Sequence, residues 1–189
     1  AVEARWFGLD WNGQRVTLHD WLQAHAVPAL DVYFAIPYGT FLFAYIGFAV
    51  FLWRRDLRAL QRFGWCFLVL NVAGFVTYHL FPTAPPWYFH AHGCAVDLAT
   101  RASEGPVLTR VDAFVGVSYF HGMYAKASSV FVAIPSLHCA DPLLVVIEGW
   151  KTFGRKLRAA SVLYWLAMIF SAVYLHHHGL IDALVGSTY

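Results

Sequence analysis

Residues 32–53 read VYFAIPYGTFLFAYIGFAVFLW, and residues 54–62 read RRDLRALQR. The first stretch is uncharged and long enough to cross a bilayer as a helix, which takes about 20 residues. The second packs four arginines, Arg54, Arg55, Arg58 and Arg62, into the short gap before the next apolar run. Working outward, similar runs follow at Phe63–Phe81, at Ser128–Ile147 (interrupted by His138 and Asp141) and at Ala159–Leu175, and a fifth starts near Leu180 and meets Tyr189. No repeated strand of alternating polarity argues for a barrel. The expected fold class is all-α, a multi-pass transmembrane helix bundle. About five helices are expected within a single integral membrane domain spanning residues 1–189, with the natural chain continuing beyond both ends.

Composition agrees. The 189 residues are 59% hydrophobic, 18% aromatic and 13% charged, against about a quarter charged in soluble domains. Eight Trp and ten Tyr suit a protein anchored at two membrane interfaces. A net charge of +2, with no basic run interleaved with aromatics, argues against nucleic acid as a partner. Cys66, Cys94 and Cys139 have no metal-ligand spacing. The expected partners are the bilayer and a membrane lipid.

The connecting segments fix an orientation. Lys151, Arg155, Lys156 and Arg158 fill the gap between the third and fourth runs, as the four arginines fill the first gap. Short basic loops stay cytoplasmic. Residues 1–31 and 82–127 carry Glu3, Asp10, Asp20, Asp31, Asp97, Glu104 and Asp112 and are expected on the extracytoplasmic side. Within the first, Thr17 with Asp20 three residues on reads as a helix N-cap. Leu18, Trp21 and Leu22 then share the apolar face of a short interfacial helix. The second is expected to be a long extracytoplasmic loop, packed rather than disordered because of its aromatic residues.

Three polar elements fall at one membrane depth. They are Phe81-Pro-Thr-Ala-Pro-Pro-Trp-Tyr88, Ile134-Pro-Ser-Leu-His138 and His176-His-His-Gly-Leu-Ile-Asp182. His178 and Asp182, four apart, would share a helix face, so that the carboxylate fixes the imidazole tautomer and leaves the other nitrogen nucleophilic. His138 would serve as general acid. Two histidines and a carboxylate suffice for phosphoryl transfer through phosphohistidine, with no cofactor and no metal. Ionisable residues inside apolar runs cost at least about 2.5–3.5 kcal/mol to insert, so several at one depth favour function over incidental polarity. Lys126, Arg110, Arg101, Ser136 and backbone N–H groups at the start of the third helix are the candidate donors to phosphate. Thr83, Trp87, Tyr88, His177 and Asp141 join the substrate-contacting candidates. A second reading assembles zinc from His138, Asp141, His176, His177, His178 and Asp182. A third has the polar residues line a binding or transport path.

In order and spacing, the three elements resemble the phosphatidic-acid phosphatase type 2 superfamily, in its branch of inositol phosphorylceramide synthases, over about Val32 to Gly186. The resemblance implies a six-helix bundle in the full-length protein, with His178 as nucleophile, Asp182 as its partner and His138 as the acid. It implies transfer of a phosphate-bearing head group, such as phosphoinositol, to or from a lipid alcohol such as a ceramide. A lipid phosphate phosphatase using water is the alternative of the same chemistry. The phosphatase branch carries an Arg six residues before the nucleophilic His, where this chain has Ala172, and no Lys-x6-Arg-Pro pattern appears. That favours the transferase branch. Asp141 and Gly179 stand where the branch leads one to expect an apolar or aromatic residue. The carboxylate is expected to bear on His138 and phosphate, and the glycine to loosen the pocket. The expected setting is a plasma or inner membrane, or a Golgi-type membrane in a eukaryote, with the site facing away from the cytoplasm.

Overall fold

A computed structural model describes residues 2–189. Its frame is three helices long and apolar enough to cross a membrane, α3 (Pro28–Arg55), α4 (Leu57–Leu80) and α9 (Arg155–Tyr174). Each coincides with an uncharged run, and each run extends by several residues through the charged flanks. The basic gap between the first two runs is therefore helical almost throughout. One residue, Asp56, joins α3 to α4, and its carboxylate caps α4 by accepting the N–H groups of Arg58 and Ala59 at 3.0 and 3.1 Å. α3 opens with Pro28 in its first turn, where the missing N–H costs nothing.

The third apolar run behaves differently. Only its second half is helical, as α8 (Leu137–Gly149, 13 residues). At 1.5 Å per residue that is about 20 Å, short of the roughly 30 Å hydrocarbon core. Pro135 disfavours helical geometry in the residue before it, and the segment around Val132 pairs with Thr83 instead of continuing a helix. Val132 forms a parallel bridge with Thr83, the N–H of Ala133 donates to the Thr83 carbonyl (3.1 Å), and the N–H of Ile134 donates to Thr83 Oγ1 (2.8 Å). α10 (Leu180–Thr188) follows the turn after α9. Of the five runs expected as helices, three are thus of spanning length, the third is helical only in α8, and the fifth opens α10.

α8 packs against α9, α3, α4 and α10. Arg62 of α4 bonds the buried Glu148 of α8 (2.6 Å), while the outward faces of α3 and α4 expose Phe43, Ile46, Trp53, Trp65 and Val69, an apolar exterior that suits lipid as solvent. Residues 82–127, expected as a loop, form α5 (Pro86–His92), a 3₁₀ turn (Ala102–Glu104), α6 (Pro106–Val115) and α7 (Tyr119–Tyr124). Pro86 and Pro106 begin two of these helices, which explains how a segment rich in Pro and Gly is still largely helical. The N-terminal segment holds α1 (Val2–Phe7), α2 (Leu18–Ala24) and, against the all-α expectation, a small antiparallel hairpin of β1 (Leu9–Trp11) and β2 (Gln14–Val16). Thr17 caps α2 as its sequence indicated, accepting the N–H of Asp20 at 3.3 Å.

α10 lies directly on the start of α8. The N–H of Ser136 donates to the carbonyl of Asp182 (3.1 Å), and a Cβ at Gly186 would run into the backbone carbonyl of Ser136. Gly186→Ala is therefore expected to lower the thermal midpoint of the detergent-solubilised protein by the equivalent of about 1–3 kcal/mol, the usual cost of overpacking. Gly47→Ala, on α3 with nothing within reach of its Cβ, is expected to stay within about 0.5 kcal/mol. Thermal unfolding of the two variants side by side checks the pair.

Candidate active site

The end of α9 is where the three consecutive histidines separate. α9 stops at Tyr174, and His176 takes a left-handed backbone (φ 63°) that turns the chain before α10 begins. A non-glycine residue in that region is uncommon and clusters at functional sites. His178 is therefore not on a helix, contrary to the helix-face expectation. Its contact with Asp182 arises from the turn and from capping: Asp182, in the first turn of α10, accepts the N–H of Gly179 at 2.8 Å.

The strongest partner of His178 is a backbone atom that no residue pattern marked. Nδ1 lies 3.0 Å from the carbonyl oxygen of Ala133 and 3.7 Å from Asp182 Oδ2. A carbonyl only accepts, so Nδ1 carries the proton and Nε2 keeps its lone pair. Asp182 adds negative charge beside the same ring edge. The extended segment that presents Ala133 is held by Thr83. Thr83 thus positions the carbonyl and does not line the cavity with His178.

That cavity measures about 220 Å³ and brings together His138, His177, His178, Asp141 and Trp87. The ring centroids of His138 and His178 are 5.5 Å apart. His138 stacks on Tyr38 at 4.3 Å with the planes 12° apart, and Tyr38 receives a hydrogen bond from the Tyr124 hydroxyl (2.8 Å). Asn71 of α4 donates to Asp141 Oδ1 (3.2 Å). Tyr38 and Asn71 were missed in the sequence. Asn71 carried a signal, being a polar residue within an apolar run; Tyr38 carried none. His177 is buried with Nε2 unpartnered among the described residues, against Gly105, where a Cβ would sit 2.8 Å away. Burial, with His178 and His176 beside it, pushes its pKa down to about 3, so it stays neutral.

The other candidates lie elsewhere. Arg110 reaches Asp31 (3.1 Å) and Gln23 (3.2 Å), outside the cavity wall; Asp31 is buried and also accepts the Tyr174 hydroxyl (3.1 Å). Lys126 is exposed after α7. Ser136 is fully buried and its hydroxyl donates to Cys139 Sγ (3.4 Å). Tyr88 is buried behind the cavity, accepting the N–H of Asp97 at 2.6 Å. Among the described residues, no Lys or Arg lines the cavity. Gly179 does not loosen the pocket, because the carboxylate of Glu3 occupies the space a side chain would take and accepts the N–H of Leu180 at 2.8 Å. The six residues of the zinc reading also diverge, with His176 turned away toward Asp20.

Comparison with known proteins bears on this arrangement. Residues 2–189 match the family described as the PAP2 superfamily. The phosphoinositol dihydroceramide synthase of Bacteroides thetaiotaomicron is 32% identical over 189 aligned positions, covering 98% of this chain and 61% of that protein. The inositol phosphorylceramide synthase of Candida albicans is 32% identical over 165 positions, 84% of this chain and 34% of its own length. The inositol phosphorylceramide synthase catalytic subunit of Saccharomyces cerevisiae is 28% identical over 173 positions, 90% of this chain and 43% of its own. The chain thus spans about a third to three fifths of the length of these relatives. No solved structure matches.

Arg110 separates a structural from a substrate-binding role. Arg110→Met strands the buried Asp31 carboxylate and is expected to cost about 1–3 kcal/mol in thermal stability, with KM unchanged in the folded fraction. The double variant Asp31→Asn/Arg110→Met is expected to recover most of the lost stability. Melting curves and steady-state kinetics on the three proteins check this.

Proposed function

Because this chain belongs to the PAP2 superfamily, we propose that it is the catalytic part of a membrane-embedded lipid phosphotransferase working through a phosphohistidine. The observation that carries the reading is the pairing of His178, its Nδ1 committed to Ala133, with His138 across one small cavity. His178 Nε2 attacks the phosphorus of a lipid phosphodiester. The N–P bond forms as the bond to the lipid alkoxide breaks, and His138 gives that alkoxide its proton. In the second half-reaction the hydroxyl of an acceptor lipid gives its proton back to His138 and attacks phosphorus, and the N–P bond breaks. Atoms and charge balance without a metal in either step.

Asp182, 3.7 Å from the ring, stabilises the positive charge that the imidazole acquires on attack. With no Lys or Arg on the wall among the described residues, the phosphoryl oxygens take their support from His138, protonated as the anionic phosphate enters, the Tyr38 hydroxyl, whose own oxygen accepts from Tyr124, and the backbone N–H groups opening α8. His177, neutral and with a free Nε2, meets a hydroxyl of the head group, and Trp87 borders its entry. The relatives' names fit phosphoinositol as the transferred group and a ceramide-type alcohol as acceptor. The active site opens on the extracytoplasmic side, at the bundle end opposite the arginine-rich turn between α3 and α4.

The test is a phosphoenzyme trap. Donor lipid labelled in its phosphate is expected to give an acid-labile, base-stable labelled protein that discharges when a ceramide is added. His178→Ala is expected to abolish label and turnover, and Asp182→Asn to slow turnover by about 10²–10⁴-fold. Label that discharges equally fast without a lipid acceptor would make water the acceptor and the protein a phosphatase. Full turnover by His178→Ala would end the mechanism.

A further inference from the structure

On the far side of the histidine turn from the catalytic cavity, three imidazoles surround one carboxylate oxygen. Asp20 Oδ1 lies 3.2 Å from His90 Nε2, 3.4 Å from His176 Nε2 and 3.7 Å from His19 Nε2. The ligand atoms of His19, Asp20 and His176 all fall within 4.8 Å of one another, the one such group among the described residues. Charge-assisted hydrogen bonds run shorter, about 2.7–2.9 Å. Three nitrogens crowding one oxygen at longer range is the spacing of atoms that share a cation. Bonds of 2.0–2.1 Å to a tetrahedral zinc ion place neighbouring ligand atoms about 3.3 Å apart and imidazole centroids about 5.2 Å apart. Here the centroids of His19 and His176 are 5.0 Å apart, and those of His90 and His176 5.4 Å.

The surroundings are those of a built site. His19 and His176 are both buried. The other nitrogen of His19, Nδ1, is buried and lies 3.3 Å from Glu3 Oε1, outside hydrogen-bond geometry, a carboxylate near enough to orient a metal-bound imidazole. The Thr17 hydroxyl donates to Asp20 Oδ2 (2.5 Å), which leaves Oδ1 to the imidazoles. His90, on α5, is exposed and closes the open side, facing a cavity of about 730 Å³.

We propose that His19, Asp20 and His176, completed by His90, form a zinc site that clamps α2 to the turn carrying His177 and His178. The donor set of nitrogen and one carboxylate oxygen selects zinc over magnesium or calcium, which prefer all-oxygen shells. The ion lies outside the catalytic cavity, takes no part in phosphoryl transfer and does not depend on that reading. Its effect is to fix the left-handed His176 and, through two peptide bonds, the ring of His178.

The test uses the whole chain in detergent, stripped with chelator, dialysed, and reloaded with zinc chloride alone or magnesium chloride alone. About one zinc and no magnesium is expected to stay bound after desalting, measured by elemental mass spectrometry. X-ray absorption at the zinc edge is expected to show at least two imidazoles in a shell at about 2.0–2.1 Å. Asp20→Ala and His19→Ala are expected to retain less than a tenth of the zinc, while His138→Ala and His178→Ala retain it in full. Zinc is expected to raise the wild-type melting temperature by at least about 2 °C. Zinc that stays in the Asp20 and His19 variants, leaves with the His138 or His178 variants, or binds without an imidazole shell overturns the site. The absorption measurement on the wild type decides the matter even where a variant fails to fold.

Discussion

The hydrogen bond from His178 Nδ1 to the carbonyl of Ala133 is the contact around which the candidate site is organised. It selects the tautomer, aims Nε2 into the cavity and ties the turn after α9 to a segment 45 residues earlier in the chain. Its acceptor is fixed in turn. Thr83 uses both its hydroxyl and its carbonyl to hold residues 133 and 134 in place, and the Pro-rich element that carries Thr83 is itself fastened by the N–H of Trp87 donating to the carbonyl of His176 (3.1 Å). The three polar elements are therefore joined by backbone hydrogen bonds, and their side chains ride on that framework. A backbone acceptor has no rotamer freedom to lose, so it holds a ring more firmly than a carboxylate on a flexible stem.

This explains what was legible in the sequence and what was not. Span-length helices are written in local composition, so α3, α4 and α9 could be read directly from their uncharged runs. Helix alternation put the elements carrying His138 and His178 at one membrane depth; that the two rings share a cavity is a tertiary fact. Which atom supports His178 is a different kind of fact. Ala133 contributes only a carbonyl, which every residue possesses, so no residue type marks it. The four-residue spacing of His178 and Asp182 looked helical, yet the contact is made by a turn followed by a cap. The third run looked continuous because Val130 to Pro135 is apolar and Ser136 is uncharged; Pro135 and the pairing with Thr83 divert it.

Charge was misread for a related reason. Arg110 and Lys126 were the nearest cations in sequence to the polar elements, but a buried carboxylate 79 residues away has first claim on Arg110. Leaving Asp31 unpaired in the core would cost more than a solvent-facing role for the arginine would gain. Gly179 shows the converse. Read alone, a glycine in place of a ring looks like lost packing. Glu3 fills the space, and its carboxylate joins α1 to the start of α10.

The shortness of α8 gives the site its depth. His138 stacks on Tyr38, ten residues into α3, and Asp141 bonds Asn71, nine residues before the end of α4. At 1.5 Å per residue both contacts lie roughly 15 Å below the ends of the long helices. A full-length third helix would have filled that space with apolar side chains. Because α8 starts low, the space above it is occupied by a non-helical segment bridged to Thr83, a helix start and a turn, all of which offer backbone donors and acceptors where a continuous helix offers none. The bundle thus keeps polar chemistry beneath its rim without leaving backbone groups exposed to lipid, which a membrane interior does not tolerate. In a recess below the rim, opposite charges interact more strongly than at a solvent-exposed surface. With no Lys or Arg on its wall among the described residues, the recess owes its electrostatics to the His138, His177 and His178 imidazoles and the Asp141 carboxylate.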